Sequence, residues 1–151
     1  MATNFRQVKT TANGDKYIDD YFVYTATFSA IAPGTIQTQN INIEADSDFI
    51  AERISQYTVL DYGSTTGETH ATRFNSYLKV SIKDSGSGRD LQDEPVFLQS
   101  ISGNGQLPFV LPVPRWFKAN STINIRVENE GTADTYAECQ IAFIGIKRFY
   151  L

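Results

Sequence analysis

Two of the most chemically versatile side chains occur once each in this chain, as His70 and Cys139. Catalytic triads, dyads and most zinc sites need a histidine with partners. His70 stands in a Gly/Thr-rich segment with no second histidine to share a metal, and it reads as a solvated loop residue. Cys139 falls in Cys139-x-Ile141-x-Phe143, in register with apolar residues on one face of a candidate strand. A buried, inert thiol is therefore expected rather than a nucleophile, and a lone cysteine leaves no internal disulfide. Glu44, Asp46 and Asp48 cluster at a strand end, where oxygen ligands would suit a hard cation. They lack the Asp-x-Asp-x-Asp-Gly spacing of a calcium loop, so a solvated acidic edge is expected. Ser85-Gly-Ser-Gly-Arg89 matches neither nucleotide-binding glycine pattern and joins two strands, which makes it a hairpin turn. A Gly-x-Ser-x-Gly elbow is missing as well. No catalytic residue, cofactor or metal ligand is assigned, and an enzyme is not expected.

Pro112-Val-Pro-Arg-Trp-Phe117 is the most unusual stretch, with the only tryptophan beside an arginine and a phenylalanine. Trp and Arg are enriched at protein–protein hot spots, where large side chains fill desolvated pockets. Pro112, Pro114, Arg115 and Trp116 are thus interface candidates. The competing expectation is that Trp116 and Phe117 cap one end of the core while Arg115 pairs an acid. Phe5 and Arg6, in the polar N-terminal stretch, are further interface candidates.

The elements that must hold these residues are strands. Tyr21–Ile31 places Phe22, Tyr24, Ala26 and Phe28 on one face and Thr25, Thr27 and Ser29 on the other, and period two means strand. Ala32-Pro-Gly-Thr35 is a turn. Ile36–Ile43, Tyr77–Lys83, Pro95–Ile101, Ser121–Glu128 and Tyr136–Tyr150 read as strands by the same alternation. Asp46–Leu60 is ambiguous: Asp46-Ser-Asp would cap a short helix and Phe49, Ile50 and Ile54 fit helical spacing, yet Gln56–Leu60 is β-rich. Most of it is assigned to strand. Pro108–Phe117 is apolar but holds three prolines; proline cannot donate to a ladder, so this is an edge or crossing segment. Asp61–Arg73 is a long polar loop. Residues 1–19 show no sustained period, apart from an Asn13-Gly14 turn signal, and are expected to be an extended arm or a frayed terminus. The expected organisation is that arm followed by a single domain, 20–151. About eight strands with regular turn signals point to an all-β, two-sheet antiparallel sandwich, jelly-roll-like in layout.

Composition narrows the function classes. Ten Phe and eight Tyr among 151 residues, with many Thr, Ile and Val, favour sheet. A formal net charge of −4 argues against general, direct nucleic-acid binding and against an anionic membrane surface. Lys147-Arg148 is a small basic patch that reads as solvated charge at a strand end. Met1–Arg6 has no apolar core of a signal peptide. The longest apolar run, Ile141–Ile146, is far short of the ~20 residues that span a bilayer, so synthesis and folding in a cytosol are expected.

Taken in order, Asp46-x-Asp48-Phe49, Asp84 with a Gly-rich turn and Arg89, Pro108-Phe109, Pro112-Val-Pro-Arg115, Ser121-Thr-Ile-Asn-Ile125 and Phe143-Ile-Gly-Ile-Lys147 resemble small structural proteins of tailed bacteriophages. These are the decoration, or cement, proteins of the head, and the likeness covers roughly Ile36 to Tyr150. The resemblance implies a jelly-roll sandwich that forms a homo-oligomer, dimer or trimer, on the outer surface of a virion. There it would bridge neighbouring major capsid protein subunits without catalytic residues or a cofactor. A tail- or neck-associated component is the alternative, as is a carbohydrate- or receptor-binding module using Trp116, Tyr57, Tyr62 and Tyr77.

Overall fold

In this chain the alternation of buried and exposed side chains settles the architecture before any pairing is considered. Tyr24, Ala26 and Phe28 are buried with Thr25, Thr27 and Ser29 exposed between them, and Ile123, Ile125 and Val127 repeat the pattern a hundred residues later. A computed structural model describes residues 7–61 and 76–151. It contains β1 (Lys9–Thr10), β2 (Lys16–Ile31), β3 (Ile36–Asn42), β4 (Asp48–Leu60), β5 (Leu78–Asp84), β6 (Arg89–Asp90) and β7 (Val96–Phe97). A helical turn α1 (Leu98–Ile101) follows, then β8 (Phe109–Phe117), β9 (Thr122–Asn129) and β10 (Tyr136–Tyr150).

The pairing is nested. β2 pairs with β10, β3 with β9, β4 with β8, and β5 with β6 and β7, all antiparallel. One sheet has the order β1-β2-β10-β4-β8 and the other β3-β9-β5-β6, with β7 also on β5. The chain crosses between sheets at β2–β3, β3–β4, β4–β5, β7–β8, β8–β9 and β9–β10, which is the winding of a jelly roll. Between the layers lie Phe28, Phe49, Phe117 and Phe143 with Ile54, Ile82, Ile123, Ile125 and Ile141, all essentially inaccessible. Burying one such aromatic or aliphatic side chain is worth about 1.5–3 kcal/mol. The core is therefore the main source of stability.

Three local features differ from expectation. The stretch 9–19 is no projecting arm: β1 and the start of β2 form a hairpin around Asn13-Gly14, with Gly14 at φ +90°. β2 runs unbroken from Lys16 because Tyr17, Ile18 and Asp19 pair with Tyr150, Phe149 and Arg148. No boundary falls at Asp20. Pro95–Ile101 is not a strand throughout, since only Val96 and Phe97 pair with β5. The chain then coils through α1, which buries Leu98 completely. Among the described residues ten strands stand where eight were expected, because β1 and β6 are two-residue additions.

β4 carries the irregularity that matters for the surface. Against β10, Ile144 faces Arg53 but Gly145 faces Ala51, so Glu52 is an extra residue. Such a bulge reverses the side-chain parity of a strand. Phe49 and Ala51 point inward before it, Ile54 after it. Gly145 is required opposite, because a Cβ there would sit 1.9 Å from the Ile50 carbonyl oxygen.

Candidate interaction surface

The proline stretch lies where its chemistry demands. β8 is the edge of its sheet, and at the same bulge it leaves the ladder: Ala51 faces Arg115 while Arg53 faces Val110. Leu111, Pro112, Val113 and Pro114 therefore arch out opposite the single residue Glu52. Prolines without N–H groups lose nothing by this departure. Pro112 and Pro114 are exposed on the arch. Val110 and Val113 are 61% and 78% exposed, an aliphatic ridge on a stiffened backbone, and Leu107, which precedes β8, is 77% exposed.

Arg115 and Trp116 are sequence neighbours on opposite faces of β8. Arg115 turns in toward the second sheet, where its guanidinium meets Asp84 at 3.4 Å and the Ser87 hydroxyl at 3.2 Å. The expected acid partner is Asp84. Phe117 is wholly buried and stacks on Phe49, with ring centroids 6.5 Å apart. Trp116 faces out and does not cap the core. Its Nε1–H donates to Asp48 at 2.9 Å, and two cations approach its ring, Arg148 at 5.0 Å and Lys118 at 5.4 Å from the centroid.

That contact explains the basic pair at the end of β10, which is not solvated charge. Lys147 and Arg148 point to opposite faces. Arg148 donates to both oxygens of Asp19, at 2.8 and 3.0 Å, and lies 4.0 Å over the Tyr17 ring. The Arg148 hydrogen bond holds the Asp19 carboxyl below the usual carboxylate range, against the opposing effect of burial. Lys147 is buried at the end of the core, its ammonium 4.0 Å over Phe22 and paired with Glu44. Burial opposes its charge, but the Glu44 hydrogen bond and nearby acidic groups outweigh that and raise its pKa. Cation–π contacts of this kind contribute about 0.5–2 kcal/mol, more as they are desolvated.

The residues weighed for chemistry disperse into structural roles. Glu44 pairs with Lys147, and Asp46 accepts the Ser47 hydroxyl at 3.0 Å. Asp48 accepts from Trp116, from the Ala119 amide at 2.8 Å, and pairs with Lys118 at 3.6 Å. Among the described residues no group of three His, Cys, Asp or Glu is arranged to hold a metal. Asp84 receives the Gly86 amide and the Ser87 hydroxyl, closing the Ser85–Arg89 hairpin turn. Cys139 is fully buried, and desolvation pushes its thiol up to about 11. His70, Tyr62, Phe5 and Arg6 lie outside the described residues. Tyr57 is on β4 and Tyr77 precedes β5, so the tyrosines sit on different sheets. Tyr57 lies seven positions from Ile50, the partner of Trp116, or roughly 23 Å along the strand at about 3.3 Å per residue. No family model matches this chain, and no curated protein is significantly similar to it.

Register assembles a surface that composition did not reveal. Tyr21 pairs with Ile146, Ile146 with Ile50 and Ile50 with Trp116, one transverse row on the outward face across four strands. Its ends are exposed, Tyr21 by 75% and Trp116 by 38%. A sandwich normally turns polar side chains outward. An apolar row rimmed by Arg53, Glu52, Asp19 and Arg148 is the composition of a protein contact.

Proposed function

We propose that this chain is a structural protein of a phage virion that docks on the outer surface of the capsid and bridges neighbouring major capsid protein subunits. The observation that carries the proposal is the outward apolar row ending in Trp116 at the proline-stiffened edge. It places rigid aromatic and aliphatic groups on backbone that β4 and β10 hold in place, so little conformational entropy is lost on contact. The jelly-roll winding and the resemblance of the segment Ile36–Tyr150 to head decoration proteins support the same reading. The bridging role follows from repetition: on a symmetric shell each added contact is effectively intramolecular, and modest interfaces suffice. Homo-oligomerisation through part of the same face belongs to the proposal.

Purified protein mixed with undecorated, expanded heads of the phage should bind in a fixed ratio to capsid subunits and raise their resistance to heat. Absence of stoichiometric binding would refute the proposal. A saturable hit on a glycan array would favour a receptor-binding module instead.

A further inference from the structure

The ridge on β8 overhangs a cavity of about 300 Å³ between the edges of the two sheets. Its floor is Ile54 and Ile82, and its walls are Leu91, Ile101, Phe109 and Leu111, while Val113 stands at the mouth. Arg115 forms the polar side. Its guanidinium is held by Asp84 and Ser87, while its Nε, without a hydrogen-bond partner among the described residues, is enclosed by protein and closed to an incoming group.

We propose that this cavity is a socket for one large apolar side chain on an extended segment of the protein partner. This rests on the reading of the β8 edge as the docking face. Three observations select the occupant. The volume is at the bottom of the small-molecule range of about 300–1,000 Å³, room for one Phe- or Trp-sized group. The charge balance is unfavourable to an anion: Arg115 is already matched by Asp84, and Asp90 also lines the cavity. A neutral group fits where a carboxylate would be repelled. Finally, Pro112 and Pro114 withhold N–H groups from the edge, so a partner strand would gain few ladder bonds there and must be held by a side chain.

The test uses the full chain with labelled Ile, Leu and Val methyl groups, titrated with N-acetyl-phenylalanine amide. Saturable millimolar shifts confined to Ile54, Ile82, Leu91, Ile101, Leu111 and Val113 are expected. The free acid, N-acetyl-phenylalanine, should bind at least threefold more weakly. Val113→Trp, a change at an exposed position, should cover the mouth and abolish the shifts. Absent or scattered shifts, or equal binding of the acid, would overturn the socket. Shell binding that persists in Val113→Trp would also overturn it while sparing the capsid reading. Socket binding in a protein that ignores shells would sink the capsid reading alone.

Discussion

Gly145→Ala tests the bulge that sets Trp116 in place. The new methyl group would lie 1.9 Å from the Ile50 carbonyl oxygen, 2.9 Å from its carbon and 3.0 Å from the Ala51 Cα. All three are backbone atoms, so no side-chain rotation relieves the contact. β10 is held on both sides, by β2 and β4, and relief requires β4 to move by more than an ångström against a packed core. Overpacking of a well-filled interior costs about 1–3 kcal/mol and occasionally more, and a backbone clash in a central strand belongs at the top of that range. About 3 kcal/mol corresponds to roughly 6–12 °C in Tm for a chain of this length, at about 2–4 °C per kcal/mol. Urea unfolding followed by Trp116 fluorescence measures the cost and, as the chain has one tryptophan, also reports the displacement. A red-shifted native emission should accompany the lost stability. Gly105→Ala serves as control, because nothing lies within 4 Å of its added carbon. A loss below about 1 kcal/mol for Gly145→Ala, with unchanged emission, would refute this account of the bulge.

Asp19→Asn should cost about 1–2 kcal/mol near neutral pH, between a surface pair and a fully buried one. The folded carboxyl has a lowered pKa, so its contribution is present above the unfolded value of about 3.9 and is lost as pH falls through the folded value. The Tm difference between wild type and variant should accordingly shrink in acid, and a constant difference would contradict the assignment. Cys139 should resist iodoacetamide at pH 8 in the native protein and react once urea unfolds it. Labelling of the folded chain at the rate of a free thiol would show that the thiol is accessible. Trp116→Ala should lower stability by about 2–3 kcal/mol through the lost Asp48 hydrogen bond and cation–π contacts. It should keep a β circular-dichroism spectrum and reduce shell binding at least tenfold. Undiminished binding would remove Trp116 from the interface.

The strands with regular alternation were legible in the sequence because each has one buried face, as in β2, β5 and β9. β4 was ambiguous for a definite reason. The Glu52 bulge shifts inward parity from Phe49 and Ala51 to Ile54, and the broken alternation imitates helical spacing. Pro95–Ile101 misled because burial of Leu98 is achieved by coiling rather than pairing. At the surface, proline chemistry announced an edge or crossing segment, and the opposite facing of Arg115 and Trp116 emerged only with the pairing of β8 on β4. The partners were not legible: Asp19 reaches Arg148 across 129 positions and Trp116 reaches Asp48 across 68. Lys147-Arg148 looked like solvated charge because its aromatic and acidic neighbours come from β2, β8 and the segment before β4. Neither the transverse apolar row nor the cavity leaves any local pattern, since each depends on register between distant strands.

Hydrogen exchange on the decorated shell, compared with the free chain, measures most directly whether this scaffold works by holding on through its β8 edge. Protection should rise at Leu107–Trp116 and along the row through Ile50, Ile146 and Tyr21. Protection confined to the opposite sheet, β3-β9-β5, with β8 unchanged, would contradict the account.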